Sequence, residues 1–131
     1  MSTTTVTFTG NLTSDPELRF TPSGTPVAES RVLVNRRTKD RETNEYHDAE
    51  PTGHNCKVWG KKAENLAESL TSGARVVVHG HIETETWTDK ETQAKRTRDV
   101  VIVDEIGPSL KYATAVVTNN PKTTQQEEYP G

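Results

Sequence analysis

Two tryptophans offer the most distinctive chemistry in this chain. Over residues 55–59, period-two alternation puts Cys56 and Val58 on one face and Lys57 and Trp59 on the other. Over 75–88, Val76, Val78, Gly80 and Ile82 point one way, while Arg75, His79, His81, Glu83, Glu85 and Trp87 point the other, provided no bulge intervenes. Both indoles therefore fall on polar faces. There they either close a barrel end or a subunit contact, or present a π-face on which a planar base can stack. Tyr46 is the only aromatic in a long charged stretch between them and the N-terminal third. Basic residues gather at three places: Arg36, Arg37, Lys39 and Arg41; Lys61 and Lys62 just after Trp59; and Lys95, Arg96 and Arg98 beside a second turn. Such clusters can meet a polyanion or form a solvated surface, and Asp40, Glu42 and Glu45 among them favour the second. His79, His81 and Glu83 share one strand face, but polar residues on a solvated sheet explain them better than a metal site, and no metal is expected.

No other motif suggests catalysis. A Walker loop, a metal-spaced Cys/His set and a nucleophile elbow are all missing, so neither an enzyme nor a cofactor is expected. The net charge of −3 gives no global support for a polyanion ligand, although a basic patch can sit on an acidic chain. Charged residues make up 27% and apolar ones only 30%, so the chain's own core must be small, and burial against further copies would supplement it. The single cysteine, Cys56, fits a reducing cytosol. With no run near the roughly 18 apolar residues a membrane span needs, neither a span nor a signal segment is expected.

The elements that must position these residues are mostly strands, as 21 threonines suggest. Residues 3–12 alternate, with Val6, Phe8, Gly10 and Leu12 on one side. A turn-rich stretch follows, then a second strand over 27–35, a long mobile loop over 36–53 and a short third strand over 55–59. Ala63, Leu66, Ala67 and Leu70 keep helical spacing, and Gly73 is placed to cap the helix. A long strand over 75–88 turns at 89–93 into another over 95–106, which Gly107-Pro108 ends; residues 109–118 could add one extended piece. Three strands, one helix and a closing hairpin predict an all-β, five-stranded OB-fold barrel with the helix between the third and fourth strands. The domain would span residues 1–110, followed by an additional C-terminal strand at 111–118 and a disordered tail at 119–131.

The string Gly10-Asn11-Leu12-Thr13-Ser14-Asp15-Pro16-Glu17-Leu18-Arg19-Phe20-Thr21 resembles the opening signature of bacterial single-stranded DNA-binding proteins. The likeness continues through Val34-Asn35-Arg36-Arg37, Val58-Trp59-Gly60-Lys61, Ala63-Glu64-Asn65-Leu66, Leu70-Thr71-Ser72-Gly73 and Trp87-Thr88-Asp89. Its last segment, Glu105-Ile106-Gly107-Pro108-Ser109-Leu110, is similar to actinobacterial members, and the whole covers roughly residues 4–118. The resemblance implies a homotetramer of OB folds that binds and protects single-stranded DNA, without sequence preference, in replication, recombination or repair. It implies base stacking at Trp59 and Trp87 and phosphate contacts from Arg37 and Lys61, with Arg36, Lys57 and Arg96 as further basic candidates and Tyr46 as the loop aromatic. It also implies a cytoplasmic, nucleoid-associated location and a C-terminal strand that clamps subunits.

Departures from the family pattern carry expectations of their own. Ser30 replaces a usual bulky apolar residue, Gly53 stands where a stacking aromatic is common, and Glu83 and Glu85 occupy positions usually basic. Each missing stack is worth about 1–3 kcal/mol, so binding weaker than in a housekeeping member is expected, as in a specialised paralogue or a phage or plasmid version. The sequence ends Glu127-Glu128-Tyr129-Pro130-Gly131 rather than in an acidic, Phe-terminated tip, so recruitment of replication and repair proteins through such a tip is not expected. The competing expectation is an OB-fold adaptor that binds protein partners, with weak or no DNA binding.

Overall fold

Alternation between an apolar and a threonine-rich face produces the first strand, β1 (Thr5–Leu12), with Gly10 and Leu12 buried. There follow β2 (Glu17–Phe20), β3 (Pro26–Lys39), β4 (Tyr46–Trp59), helix α1 (Lys61–Ser69), β5 (Arg75–Thr88) and β6 (Lys95–Pro108). The computed structural model describes residues 3–121, without the side chains at 36–38 and 48.

The strands run in the order β1-β5-β6-β4-β3-β2, and a further antiparallel pairing of β1 with β3 (Asn11↔Leu33, Leu12↔Val32) joins the ends. Five strands thus form a ring, with β2 added on the outside of β3. A parallel contact of β4 with β6, Cys56↔Val101 and Lys57↔Ile102, links the two long hairpins. This is the OB arrangement, with its helix between the strands on either side of the crossover. Closure depends on Gly10, where a Cβ would stand 2.6 Å from the Leu33 carbonyl oxygen.

The core is built mainly from valines and alanines: Ala28, Val32, Val58, Val76, Val78, Val101 and Val103, with Leu12 and Cys56. Helix α1 adds Ala63 and Leu66 to it. Burial pushes the Cys56 thiol up to about 12, so it packs as a small apolar group. Ser30 lies among these residues, 7% exposed, and its hydroxyl has no hydrogen-bond partner among the described residues.

Several expectations are corrected. Residues 36–53 are not a loop: β3 and β4 continue through them as a hairpin, Arg36↔Ala49 to Lys39↔Tyr46, after an irregularity beyond Val34. Only residues 40–45 turn. Asp40 Oδ1 accepts the Glu42 backbone N–H at 2.8 Å, and Asn44 takes φ 63°. The β5–β6 turn is built alike, with Asp89 Oδ1 accepting from the Glu91 N–H at 2.9 Å and Gln93 at φ 61°. The turn-rich stretch after β1 contains the short strand β2. Strand β6 runs through Gly107 to Pro108, which stands opposite Val76 at the strand's end. Gly73 does not cap the helix. Leu70 does, in extended conformation, while Gly73 at φ 89° serves the next turn and donates to the Leu12 carbonyl at 2.8 Å. Among the described residues, 110–121 form no strand pairing, while the Ser109 N–H donates to the Arg75 carbonyl at 2.8 Å; those from 122 onward in the expected tail lie outside the described residues.

Candidate nucleic-acid interface

The outer face of the ring is set by the same alternation that fills its inside. On β4, Cys56 and Val58 point inward, so Lys57 and Trp59 point out. On β5, Val76, Val78 and Gly80 are buried and Glu85 and Trp87 face outward. The irregularity in the β5–β6 ladder between His79 and Gly80 places the unpaired residue, Asp104, on β6, so β5 keeps its own parity.

A bond between Lys57 and Glu85 links the strands that carry the two tryptophans. Lys57 Nζ lies 5.8 Å from the Trp59 ring centroid and 2.6 Å from Glu85 Oε2, and Glu85 shares its face with Trp87 two residues on. Trp87 is 46% exposed beside the turn of the β5–β6 hairpin, opposite Arg96. Trp59 is half-buried opposite Val27, which is fully covered.

Between the indoles lies an ion network. Arg98 Nε donates to Glu85 Oε1 at 3.1 Å, Arg19 Nη2 donates to Glu29 Oε1 at 3.1 Å, and Lys57 Nζ is 3.6 Å from Glu29 Oε1. Three cations thus share two carboxylates, leaving the cluster positive although the chain is negative. The hydrogen bond from Lys57, reinforced by Arg98, holds the Glu85 carboxyl below the usual range against the opposing effect of burial. Arg19 does the same for Glu29, with Lys57 and Arg98 adding to it.

The remaining candidates are dispersed. Lys61, at the start of α1, is exposed and 3.0 Å from Glu64, while Arg96 is 3.6 Å from Asp89 at its hairpin turn. Tyr46 is exposed near the other hairpin turn with Lys39 Nζ 5.9 Å from its ring. The backbones of Arg36 and Arg37 belong to β3, but their side chains lie outside the description. Sequence reasoning missed Arg19 and Arg31 and left Arg98 out of the site. The signal for Arg98 was its parity with Arg96, and for Arg31 its parity with Glu29 on β3. Arg31 occupies a telling place: its guanidinium lies over Gly53, in the space a Cβ there would need, and donates to Asn55 Oδ1 at 3.3 Å. A cation therefore covers the position where a family aromatic is common.

The histidines are engaged singly. His79 Nδ1 is 2.7 Å from Thr7 Oγ1, and His81 lies between Glu83 (2.9 Å) and Asp104 (3.5 Å). No three His, Cys, Asp or Glu groups converge as metal ligands among the described residues. The hydrogen bond to Glu83, then that to Asp104, raises the His81 pKa against burial. No helix among the described residues is long and apolar enough to cross a membrane.

A closed OB ring with aromatic and cationic groups on its outer face defines the class. Within it, the chain belongs to the single-strand binding protein family, whose model matches residues 3–109. It is 54% identical over 114 residues to the single-stranded DNA-binding protein of Mycobacterium tuberculosis, covering 87% of this chain and 69% of that one. To the single-stranded DNA-binding protein of Paenarthrobacter aurescens it is 50% identical over 123 residues, covering 94% and 71%. The crystal structure of a small single-stranded DNA-binding protein from Streptomyces coelicolor is similar at TM-score 0.69 and 27% identity, over 84% of this chain and 97% of that one. The family is non-enzymatic, and all three relatives are actinobacterial, as the C-terminal part of the resemblance implied.

Proposed function

We propose that this protein binds and protects single-stranded DNA without sequence preference, in replication, recombination or repair. One observation carries the reading: Trp59 and Trp87 lie on a single outer face with a net-positive network whose Lys57–Glu85 bond links their strands. Indoles supply stacking that any base satisfies, and cations supply phosphate contacts that read no base edge. The relatives named above bear the same binding activity in their names. Arg36, Arg37, Lys57, Lys61, Arg96 and Tyr46 extend this face in the proposal, along with Arg31 and Arg98.

The working form is a homotetramer, and its location the cytoplasm, on the nucleoid. The small valine–alanine core favours further burial between copies. Among the described residues, 110–121 have no ladder partner, with Leu110, Tyr112, Val116 and Val117 all exposed, which suits a strand at 111–118 clamping a neighbouring subunit.

Tryptophan quenching by oligo(dT), with a duplex of equal length for comparison, tests the binding. Strong quenching by the single strand alone is expected, and equal affinity for both would overturn the reading. Sedimentation should give about four times the 14.5 kDa chain mass, and a stable monomer at micromolar concentration would remove the tetramer.

A further inference from the structure

Stacking and phosphate contact leave the two carboxylates inside the interface unexplained. Lys57, whose side chain is only 13% exposed, lies 2.6 Å from Glu85 and 3.6 Å from Glu29. Arg98 Nη2 is 3.1 Å from Glu85 and 3.9 Å from Glu29. A carboxylate offers N–H donors what a phosphodiester offers them: two anionic oxygens in a plane the donors can reach. A strand laid from Trp59 to Trp87 must cross this network, because Lys57 stands two residues before Trp59, Glu85 stands two before Trp87, and the two are bonded. At that crossing its phosphates meet cations already engaged and two negative charges that repel them.

We propose that Glu29 and Glu85 are built-in competitors for the DNA backbone, holding Lys57 and Arg98 in internal pairs that a phosphate must displace. The proposal rests on single-stranded DNA being the ligand. A cation that stays on its carboxylate neutralises no phosphate and releases no counterion, so the competitors lower affinity most at low salt and flatten the salt dependence. They leave stacking untouched. The face is thereby tuned toward exchange of the strand rather than tight retention. Glu83 is the natural comparison: it lies on the same strand, but its carboxylate bonds His81 at 2.9 Å and not the network.

The test compares the full chain with Glu85→Gln, Glu29→Gln and the charge-matched Glu83→Gln by oligo(dT) quenching at about 50 and about 200 mM salt. Circular dichroism checks each fold. At about 0.7 in slope per phosphate contact, freeing one cation makes the variant's advantage grow about 3-fold on going from 200 to 50 mM, and freeing two about 7-fold. Glu85→Gln should show this gain over both the parent and Glu83→Gln. Equal slopes and affinities for Glu85→Gln and Glu83→Gln would overturn the proposal, because the gain would then be one of net charge alone. A folded Glu85→Gln that binds more weakly than the parent would overturn it too, since the carboxylate would then be positioning Lys57 for DNA. If Glu85→Gln does not fold, Glu29→Gln carries the same test with the smaller gain, and failure to show it overturns the proposal. Binding by the parent without a gain in the variants refutes the competition alone. Absence of binding in every form refutes both the function and the competition. Absence in the parent with binding by Glu85→Gln supports the competition and refutes the parent's DNA-binding function.

Discussion

Replacing Trp87 with alanine separates stacking from architecture. The indole is 46% exposed, opposite Arg96 near the turn of the β5–β6 hairpin, and it is not part of the apolar cluster inside the ring. An aromatic side chain offers about 150–250 Å² of surface, so roughly 70–110 Å² of it remains for a base to cover. At about 25 cal/mol per Å² that is roughly 2–3 kcal/mol if both ring faces are covered, and about 1 kcal/mol if a base covers one. The direct range for base–aromatic stacking, about 1–3 kcal/mol, agrees, so oligo(dT) affinity should fall about ten- to a hundred-fold. The salt slope should barely change, because an indole displaces no counterions. Quenching titrations at two salt concentrations, with Trp59 as the remaining reporter, measure both quantities, and thermal melting and sedimentation show whether fold and assembly survive. A folded variant of unchanged assembly and parental affinity would remove Trp87 from the site. A variant with a lowered melting temperature or a lost assembly, and an affinity loss only in proportion, would make Trp87 a structural residue.

Other residues give separate outcomes. Lys61→Ala should reduce the salt slope by about 0.7 with a modest loss at low salt, because its exposed pair with Glu64 competes only weakly with a phosphate; an unchanged slope excludes that contact. Ser30→Ala should stabilise the chain by about 1 kcal/mol in urea unfolding, since it removes a buried hydroxyl without a partner among the described residues; destabilisation would mean the hydroxyl is satisfied. The raised pKa of His81 contributes stability fully below the ordinary value near 6.5 and loses it as pH climbs through the folded value. The stability gap between the parent and His81→Gln should therefore narrow from about pH 6 to about pH 8, and a gap constant with pH refutes the pairing. On the acid side, Glu29 and Glu85 contribute above their ordinary range and lose it as pH falls through their lowered values, so Glu85→Gln should flatten acid unfolding below about pH 4.5.

What could be read in advance followed from burial. β1, the end of β4 over residues 55–59, and β5 each bury one face at least in part, so alternation fixed their parity, and with it the outward aim of Trp59 and Trp87. The β3–β4 extension was invisible for the opposite reason. The residues described on both sides of it are mostly exposed, leaving no apolar rhythm to betray the strands. Its turn was nevertheless written in the chain, since Asp40-Arg41-Glu42-Thr43-Asn44 and Asp89-Lys90-Glu91-Thr92-Gln93 run in parallel. Each begins with an aspartate accepting from the backbone two residues on and ends in a left-handed residue. Strand β2 was hidden because all four of its residues are exposed and it pairs on one side only.

Composition averages over charges that a site keeps apart. A chain of net charge −3 argues against a polyanion ligand only if its charges are spread evenly, and they are not. Arg19, Lys57 and Arg98 share Glu29 and Glu85, and Arg31 extends the positive side over Gly53. Much of the acidic excess lies elsewhere: Glu64 on the helix, Glu42 and Glu45 at one hairpin turn, Glu91 at the other, and Glu83 and Asp104 around His81. The expectation drawn from Glu85, that an acid in a usually basic position simply deletes a contact, also changes once its partners are known. Glu85 does not stand alone facing a strand; it binds the same Lys57 that the strand would need. On the proposal above, its effect on affinity is set by how strongly it holds that lysine, a quantity that sequence position alone does not contain.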